Sequence, residues 1–408
     1  MIVGAGLAGG TTAATLRAEG FRGPILLIGD EESPPYGRPP LSKTYLRGEE
    51  DLEGWYVKPA EWYADNDVEV RKGTSVVRVD AGDGRVVLEG GERIGYDHLV
   101  LCCGGRPRRP EIPGITLRGV HVLRTVAHCE AIKAAARPHA RAVVVGMGFI
   151  GSEVAASLRQ LGVSVTAVLS GTSPLEAVLG REVGDVMARI HREHGVELIA
   201  GDQVVGLEGS ERLERVVTRN GVRVECDFAV FGAGIELNLE VAAGAAVALN
   251  NGILVDPQCR TNVAGISAAG DVANHLHPLF GRVRVEHYNN AEKMGAATAR
   301  SILGDARAYD YVHSFWSDQY DDKIEYVGHA VAWDQFVVRG SVEDRQFLGF
   351  YLNAGVLRAA IGFNRGGDPE LDDDSELRVC QELVGALVAP SISALSDERT
   401  DLRSLLPR

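Results

Sequence analysis

The sequence lacks the features that mark several classes of protein. Its six cysteines include no pair with CxxC or CxxxxC spacing, and no cysteine–histidine group has zinc spacing, so no metal site is expected. No apolar run of about 18 residues occurs, and no basic segment followed by an apolar stretch opens the chain. We therefore expect a cytoplasmic protein without a membrane span and with reduced thiols. The adjacent Cys102 and Cys103 leave open a strained vicinal disulfide.

Positive charge is also scarce. The chain has 42 Lys and Arg against 56 Asp and Glu, a formal net charge of −14 at pH 7. This balance disfavours nucleic acid and anionic membrane as main partners. With 408 residues, 45% hydrophobic and 24% charged, the composition is typical of a globular protein with a full core. At about 100–200 residues per domain, two to four domains are expected.

What the chain does have is glycine, 49 residues in all, much of it clustered after apolar runs. The opening MIV is typical of the end of a buried strand. Gly4, Gly6 and Gly9 then form GxGxxG, a helical pattern follows, and a second strand ends at Asp30. Such glycines let the backbone approach a pyrophosphate at a helix N-terminus, and Asp30 or Glu31 can accept hydrogen bonds from a ribose. This segment is predicted to bind a dinucleotide.

The first strand is short for such a sheet. Only three residues precede Gly4, where a strand of about five or six is usual. We therefore expect the native chain to begin a few residues earlier.

The pattern occurs a second time. A strand at about 142–145 leads into Gly146, Gly148 and Gly151, a helix to about 160, and a strand at 163–168. Two dinucleotide folds in one chain indicate two nucleotides, one resident and one visiting. LVLCCGG, FAVFGAG and ISAAGD are further apolar strands that run into glycine, which is typical of parallel sheets covered on both faces. From about Tyr311, short alternating segments and a helix at about 376–388 predict a separate α+β domain.

Specific motifs connect these elements to a known family. The chain resembles the oxygenase-coupled NADH-dependent ferredoxin reductases, the group of putidaredoxin reductase, rubredoxin reductase and biphenyl dioxygenase reductase. The resemblance spans nearly the whole chain, and PYGRPPLSK and WSDQ are its most specific segments. The motifs are GAGLAG at 4–9, PYGRPPLSK at 35–43, LVLCCGGRPR at 99–108, LRT at 123–125, GMGFIGSE at 146–153, ISAAGD at 266–271, WSDQ at 316–319 and TDLRSLL at 400–406.

The resemblance implies an α/β fold of the glutathione-reductase type, with two Rossmann-like dinucleotide-binding domains and a C-terminal α+β domain. The FAD domain is expected at 1–108 and 230–310, the NAD(P) domain at 109–229 and the C-terminal domain at 311–408. Asp271 is expected at the ribityl–phosphate end of FAD, and the helix near Asn289 should point its N-terminus at the flavin pyrimidine. Further FAD contacts implied by the resemblance are Ala8, Asp30, Arg38, Lys43, Val76, Arg124, Gly270 and Tyr288.

The resemblance also implies a reaction site. Lys43 and Glu153 are expected to face each other beside flavin N5, where they orient the nicotinamide and tune the reduced flavin. The alternative is that both are solvated surface charges. Trp316 and Tyr288 are expected to line the flavin, or else to be core aromatics, and Glu286 is expected to meet the nicotinamide amide. The nicotinamide nucleotide is expected on Gly146, Gly148, Phe149, Ile150, Gly151 and Gly234.

One departure from the family pattern concerns NADH. The second strand of an NAD-binding fold ends in an acid that holds the adenosine ribose. Leu169 occupies that position here, no Asp or Glu lies between Glu153 and Glu176, and Ala177 stands where relatives often have Arg. No Lys or Arg lies between 160 and 180 to bind a 2′-phosphate. This stretch alone predicts weak NADH binding and little preference over NADPH.

Four functions are weighed. The first is a reductase that passes electrons from NADH, or NADPH, through FAD to a 2Fe-2S ferredoxin or rubredoxin-like carrier of an oxygenase. The second is a disulfide or peroxide reductase, which the cysteine positions disfavour because Ser42, not cysteine, stands in PPLSK. The third is a flavoprotein with a mainly binding or signalling role, and the fourth an FAD oxidoreductase on a small metabolite. Arg106, Arg108 and Arg109 are either a basic docking face or a solvated turn. We expect a monomer or weak homodimer.

Overall fold

The computed structural model describes residues 1–407, and Arg408 lies outside the described residues. The chain forms two compact units. The first consists of Met1–Arg38, Leu52–Arg106 and Glu236–His313, and the second of Pro39–Asp51, Pro107–Ile235 and Ser314–Arg408.

The centre of the first unit is a five-stranded parallel sheet. Its middle strand is Ile2–Val3, flanked on one side by Ile25–Ile28 and on the other by Leu99–Leu101. Nearly every residue of these strands is buried, because helices and further strands cover both faces. The strand order is Ile266–Ala268, Leu99–Leu101, Ile2–Val3, Ile25–Ile28 and Val68–Arg71. Two three-stranded sheets accompany it, Val76–Asp80 with Arg85–Leu88 and Arg93–Gly95, and Ile253–Val255 with Ala273–His277 and Gly281–Val283.

The second unit repeats this plan. Arg141–Val145 lies between Ser164–Leu169 and Phe228–Phe231 in a five-stranded parallel sheet, completed by Glu197–Ala200 and Val120–Val122. An antiparallel sheet of Val204–Glu208, Arg215–Thr218 and Arg223–Glu225 accompanies it. The remaining strands that precede Ser314 are the short ones at Gly105–Pro107 and Ile235–Leu237.

The C-terminal part is antiparallel, as the alternating segments predict. Its five strands build a sheet with large buried aromatics such as Phe347, Tyr351 and Phe363. The strand order is Ser314–Gln319, Asp322–Gly328, Val356–Phe363, Gln346–Asn353 and Gln335–Ser341.

The helices expected after the two glycine turns, near Asn289 and close to the C-terminus are all present, and five further α-helices were not predicted. The α-helices are Leu7–Ala18, Thr44–Arg47, Ala60–Asp65, Val126–Ala135, Phe149–Gln160, Glu176–Glu193, Tyr288–Ile302, Glu376–Gly385 and Ile392–Ser396. The 3₁₀ turns are Pro39–Ser42, Leu52–Trp55, Leu239–Ala242, Gly270–Val272 and Leu402–Leu405. The predicted fold class is thus confirmed, with the C-terminal helix ending three residues earlier than expected. Among residues 1–407, no helix is both long and apolar enough to cross a membrane.

Candidate functional site

The first glycine turn joins the central strand of the first unit to helix Leu7–Ala18. Gly4 has φ 107°, and a Cβ added there would lie 2.2 Å from the carbonyl oxygen of Cys102. A Cβ on Gly9 would lie 2.0 Å from the carbonyl oxygen of Gly4. Only glycine fits at both positions, so the strand, the turn and the helix are held in close contact.

The helix N-terminus of this turn is open to a ligand. Gly6 precedes helix Leu7–Ala18, and no side chain caps the helix. Within 4 Å, a Cβ added to Gly6 would meet only Nη2 of Arg38, at 4.0 Å. Arg38 is oriented by a 2.6 Å ion pair to Glu31 and lies over the Tyr36 ring. Free backbone N–H groups beside a guanidinium fit the diphosphate of FAD.

The acids predicted for FAD differ in their surroundings. Asp30 is exposed at the end of the second strand and makes no hydrogen bond within residues 1–407. Glu31 is already bound to Arg38 and Tyr36, so Asp30 is the acid available for a ribose. Gly270 and Asp271 begin a 3₁₀ turn, and a Cβ on Gly270 would lie 3.0 Å from the Cβ of Ala8. Ala8, Gly270 and Asp271 are thus close to the first glycine turn.

Helix Tyr288–Ile302 begins in the same unit and also has no side-chain cap. Tyr288 packs edge-on against Trp55, with ring centroids 6.1 Å apart. The two rings line a cavity of about 250 Å³ together with Leu7 and Glu292. Glu286 forms a 2.6 Å ion pair with Arg284. Val76 is buried at the start of its strand.

The second glycine turn has the same construction. Gly146 has φ 88°, and a Cβ on Gly151 would lie 1.9 Å from the carbonyl oxygen of Gly146. Gly148 precedes helix Phe149–Gln160, which has no side-chain cap, and a Cβ on Gly148 would meet nothing within 4 Å. The space in front of this helix is therefore open, as nucleotide binding requires.

The other residues predicted for the nicotinamide nucleotide differ in exposure. Phe149 packs edge-on against Phe315 at 4.8 Å and belongs to the apolar core of the second unit. Ile150 is 46% exposed, so it is the one free to contact a ligand. Gly234 has φ 81° and accepts a hydrogen bond from the backbone N–H of Arg108. Arg124 is half-buried between strand Val120–Val122 and helix Val126–Ala135.

Lys43 and Glu153 meet within the second unit. Lys43 Nζ lies 2.7 Å from Glu153 Oε2, and the exposed fractions of the two side chains are 11% and 4%. The alternative that they are solvated surface charges is wrong, because both are buried. A buried ion pair is favourable only when further hydrogen bonds satisfy its members.

Two serines supply those hydrogen bonds. Ser42 Oγ donates to Glu153 Oε2 at 2.5 Å, and Ser317 Oγ donates to Glu153 Oε1 at 2.7 Å. Lys43 Nζ also reaches the carbonyl oxygen of Pro39 at 3.4 Å. Sequence reasoning assigned neither serine, although both lie in the motifs PPLSK and WSDQ.

A chain of hydrogen bonds continues behind Glu153. Gln319 Nε2 donates to Ser317 Oγ at 3.1 Å, and His191 Nε2 lies 3.1 Å from Gln319 Oε1. His191 Nδ1 lies 3.2 Å from the hydroxyl of Tyr320. Burial lowers the pKa of His191 to about 4, so the ring is neutral and donates through Nε2 while accepting through Nδ1. Each donor in this series of hydrogen bonds, from the Tyr320 hydroxyl to Ser317 Oγ, therefore points toward Glu153.

Asp318 and Trp316 lie on strand Ser314–Gln319, which also carries Ser317. Burial raises the pKa of Asp318, and Lys43 nearby acts in the opposite direction. The Trp316 side chain hydrogen-bonds Asp318 and is only partly buried, so it is not a plain core aromatic. The site therefore concentrates charge and hydrogen-bond donors around strand Ser314–Gln319.

The thiols are not suited to redox chemistry. All six cysteines are free, and five of them are fully buried, so the vicinal disulfide is absent among the described residues. Burial raises the pKa of Cys103, Cys129, Cys226 and Cys259 to about 12, and it raises the pKa of Cys102 and Cys380 as well. A thiolate nucleophile is therefore disfavoured. Within residues 1–407, no group of three or more His, Cys, Asp or Glu is placed to hold a metal ion.

Comparison with known proteins agrees with this geometry. The family "Pyridine nucleotide-disulphide oxidoreductase" matches residues 1–295, and "Reductase C-terminal" matches residues 314–406. The chain belongs to the pyridine nucleotide-disulphide oxidoreductase family. This family uses FAD and a pyridine nucleotide, so the protein is an FAD- and NAD(P)H-dependent oxidoreductase. The two glycine turns are the expected binding sites of these nucleotides.

The relatives are reductases, and several are named as components of dioxygenase systems. Rhodocoxin reductase of Rhodococcus erythropolis is 38% identical over 349 residues, which cover 85% of this chain and 82% of the relative. The biphenyl dioxygenase ferredoxin–NAD(+) reductase component of Paraburkholderia xenovorans is 34% identical over 99% of this chain and 97% of its own. The solved covalent putidaredoxin reductase–putidaredoxin complex matches with a TM-score of 0.93 and 32% identity, covering 99% of this chain and 97% of that one. The predicted family resemblance is thereby confirmed.

Proposed function

We propose that this protein is an FAD-dependent ferredoxin reductase of an oxygenase system. It takes electrons from NADH, or NADPH, and passes them to a small iron–sulfur protein, a 2Fe-2S ferredoxin or rubredoxin-like carrier. The observation that carries the proposal is the match along 99% of the chain to a reductase solved in covalent complex with its carrier. The buried, inert thiols argue against the disulfide or peroxide reductase alternative.

We also propose the division of labour expected from the sequence. Residues 1–108 and 230–310 would bind FAD, residues 109–229 the nicotinamide nucleotide, and residues 311–408 would form the third domain. In support, each parallel sheet carries its own glycine turn and open helix N-terminus, and the C-terminal family match begins at residue 314. When bound, FAD supplies the chemistry of accepting a hydride and releasing its two electrons singly. The chain itself supplies binding, orientation and charge.

For FAD, the proposed contacts begin at the first glycine turn. The N–H groups of helix Leu7–Ala18 and the guanidinium of Arg38 would hold the diphosphate, and Asp30 the ribose. Asp271 is within electrostatic reach of Arg38, which fits a role at the phosphate end. Tyr288 would lie at the N-terminus of the helix that favours negative charge on the flavin.

For the reaction, Lys43 and Glu153 are the proposed catalytic residues. The ammonium group is held in one place by the 2.7 Å ion pair, and the carboxylate is held by two serine hydroxyls. Such a rigid, dry pair can orient the nicotinamide and keep water out during hydride transfer. Glu286, Trp316 and Ile150 are proposed as further contacts of the cofactor or the nucleotide.

Anaerobic reduction tests the proposal. The purified protein should be yellow with one non-covalent FAD, and NADH should bleach it in a stopped-flow instrument. Cytochrome c reduction should then require an added 2Fe-2S ferredoxin. A folded protein that cannot be reconstituted with FAD, or a flavin that no nicotinamide nucleotide reduces, would refute the proposal. Light scattering on the same preparation tests the expected monomer or weak homodimer.

A further inference from the structure

The loop after strand Ser164–Leu169 lies beside the second glycine turn. Gly146 donates its N–H to the carbonyl oxygen of Val168 at 2.8 Å, and Leu175 donates to that of Met147 at 2.9 Å. The loop of residues 170–175 is therefore anchored at both ends to the turn. In a dinucleotide fold, the end of the second strand is where the adenosine ribose and any 2′-phosphate are recognised.

A carboxylate already occupies this loop. Glu176 Oε2 accepts hydrogen bonds from the N–H and hydroxyl of Thr172, both at 2.8 Å, and from the N–H of Ser173 at 3.1 Å. A Cβ added to Gly171, two residues past the strand, would lie 3.3 Å from the same oxygen. The hydrogen bonds, first that of the Thr172 hydroxyl, lower the pKa of Glu176, so the group is charged at neutral pH.

The loop offers no cation to a phosphate. The N–H groups of Thr172 and Ser173 are bonded to Glu176, and Ser173 Oγ donates to a second carboxylate, Asp185. No Lys or Arg occurs between residues 161 and 180. The next cation along the chain, Arg181, is 73% exposed and pairs with Asp185 at 3.5 Å. A 2′-phosphate placed here would meet negative charge without compensation.

We propose that Glu176 replaces the missing acid at the end of the second strand and makes the protein select NADH by repelling the 2′-phosphate of NADPH. The inference rests on the proposed function, because it assigns the nucleotide that the second glycine turn binds. It reverses the expectation from Leu169 alone. Leu169 is buried, with 4% of its surface exposed, and so does not face the ribose, whereas Glu176, which is bonded to the loop that follows the strand, is partly exposed.

Titration calorimetry of the FAD-loaded protein with NAD⁺ and NADP⁺ tests this assignment. The parent should bind NADP⁺ at least tenfold more weakly than NAD⁺. Glu176→Gln should lower the ratio of the NADP⁺ to the NAD⁺ dissociation constant at least fivefold, mainly because NADP⁺ binds more tightly. Glu176→Asp, which keeps the charge, should retain most of the selectivity. Raising the salt from 50 to 500 mM should also narrow the parent's ratio of NADP⁺ to NAD⁺ dissociation constants, because the carboxylate is partly open to solvent and its repulsion is screened by salt.

Glu182→Gln is the matched control, since it removes the same charge from an exposed position of the same helix. Its ratio should stay within twofold of the parent's. A parent that binds NADP⁺ as tightly as NAD⁺, or a Glu176→Gln variant with the parent's ratio, would overturn the inference and leave the reductase proposal intact. Binding of neither nucleotide by the parent would overturn both.

Discussion

The two glycine turns share one backbone design and differ in what surrounds them. A Cβ would clash at Gly9 and at Gly151 in the same way, at 2.0 and 1.9 Å from the carbonyl oxygen of the first glycine of each motif. Beside the first turn lies a guanidinium, that of Arg38, fixed by Glu31. Beside the second lies a loop with a carboxylate and no cation between residues 161 and 180.

We infer that this difference separates a resident from a visiting nucleotide. A helix N-terminus with a fixed cation gives an anion both hydrogen bonds and charge, which favours permanent binding of a diphosphate. A helix N-terminus alone binds more weakly and lets the ligand exchange. On this proposal the glycine motifs define where the nucleotides bind, and the neighbouring charges define how long each nucleotide stays bound.

The largest expected effect comes from adding one methyl group to each turn. Gly9→Ala forces a Cβ to 2.0 Å from a backbone oxygen and should yield protein without FAD. Gly151→Ala should keep its FAD and lose detectable binding of NAD⁺. The ratio of flavin to protein absorbance and calorimetry with NAD⁺ measure the two results. Gly82→Ala and Gly206→Ala are controls, because a Cβ at either position meets nothing within 4 Å. Loss of FAD in both the Gly9→Ala and the Gly151→Ala variant would contradict the assignment of FAD to the first turn alone.

The ion pair of the second unit should matter for chemistry more than for FAD. Lys43→Met leaves Glu153 buried without its partner, which should destabilise this unit by about 3–5 kcal/mol. FAD should remain bound while the rate of reduction by NADH falls at least tenfold in stopped-flow experiments. The double variant Lys43→Met with Glu153→Gln should recover most of the stability but not the rate. If Lys43→Met loses FAD with no change in rate per bound flavin, Lys43 is a cofactor ligand only.

Buried histidines give both units the same sensitivity to acid. Burial lowers the pKa of His275 in the first unit and of His191 in the second to about 4, from an ordinary 6.5. As the pH falls, these two histidines therefore take up protons in the unfolded chain before they do so in the folded protein. The free energy of unfolding therefore falls as the pH drops from about 6.5 to 4. Each histidine should cost its unit about 3 kcal/mol over that range.

Melting curves between pH 7 and 4 measure this loss. His275→Gln and His191→Gln should each flatten the pH dependence, and His139→Asn, at an exposed position, should not. Equal slopes in all four proteins would show that other groups control the acid response.

The features that could be predicted from the sequence are those that rest on residues close together in the chain. The glycine turns, the repeated parallel sheet and the antiparallel C-terminal part are predictable because they rest on short, local patterns. The partners of Glu153 are not, because Ser42 and Ser317 lie 111 and 164 residues away from it in sequence. The role proposed for Glu176 was not predictable for another reason. Its position beyond the strand end depends on a loop that folds back, which no periodicity reveals.

The smallest predicted effect tests the hydrogen bonds behind the ion pair. Ser317→Ala removes one donor from a buried carboxylate, at a cost of about 1.5–3 kcal/mol. It also detaches Gln319 and His191 from Glu153, so the carboxylate can rotate away from Lys43. We expect flavin reduction by NADH to slow several-fold, with a shifted pH profile and unchanged FAD content.

Ser317→Thr keeps the hydroxyl and should restore the parent's pH profile, whereas a merely structural role would leave that profile unmoved in both variants. Ser210→Ala, at an exposed site, is the control. Because the donors point one way, from Tyr320 through His191 and Gln319 to Ser317, His191→Gln should reproduce a weaker form of the same shift. Should Ser317→Ala change stability alone, these hydrogen bonds support the fold of the second unit and not the reaction, and the role proposed in hydride transfer rests on Lys43 and Glu153 by themselves.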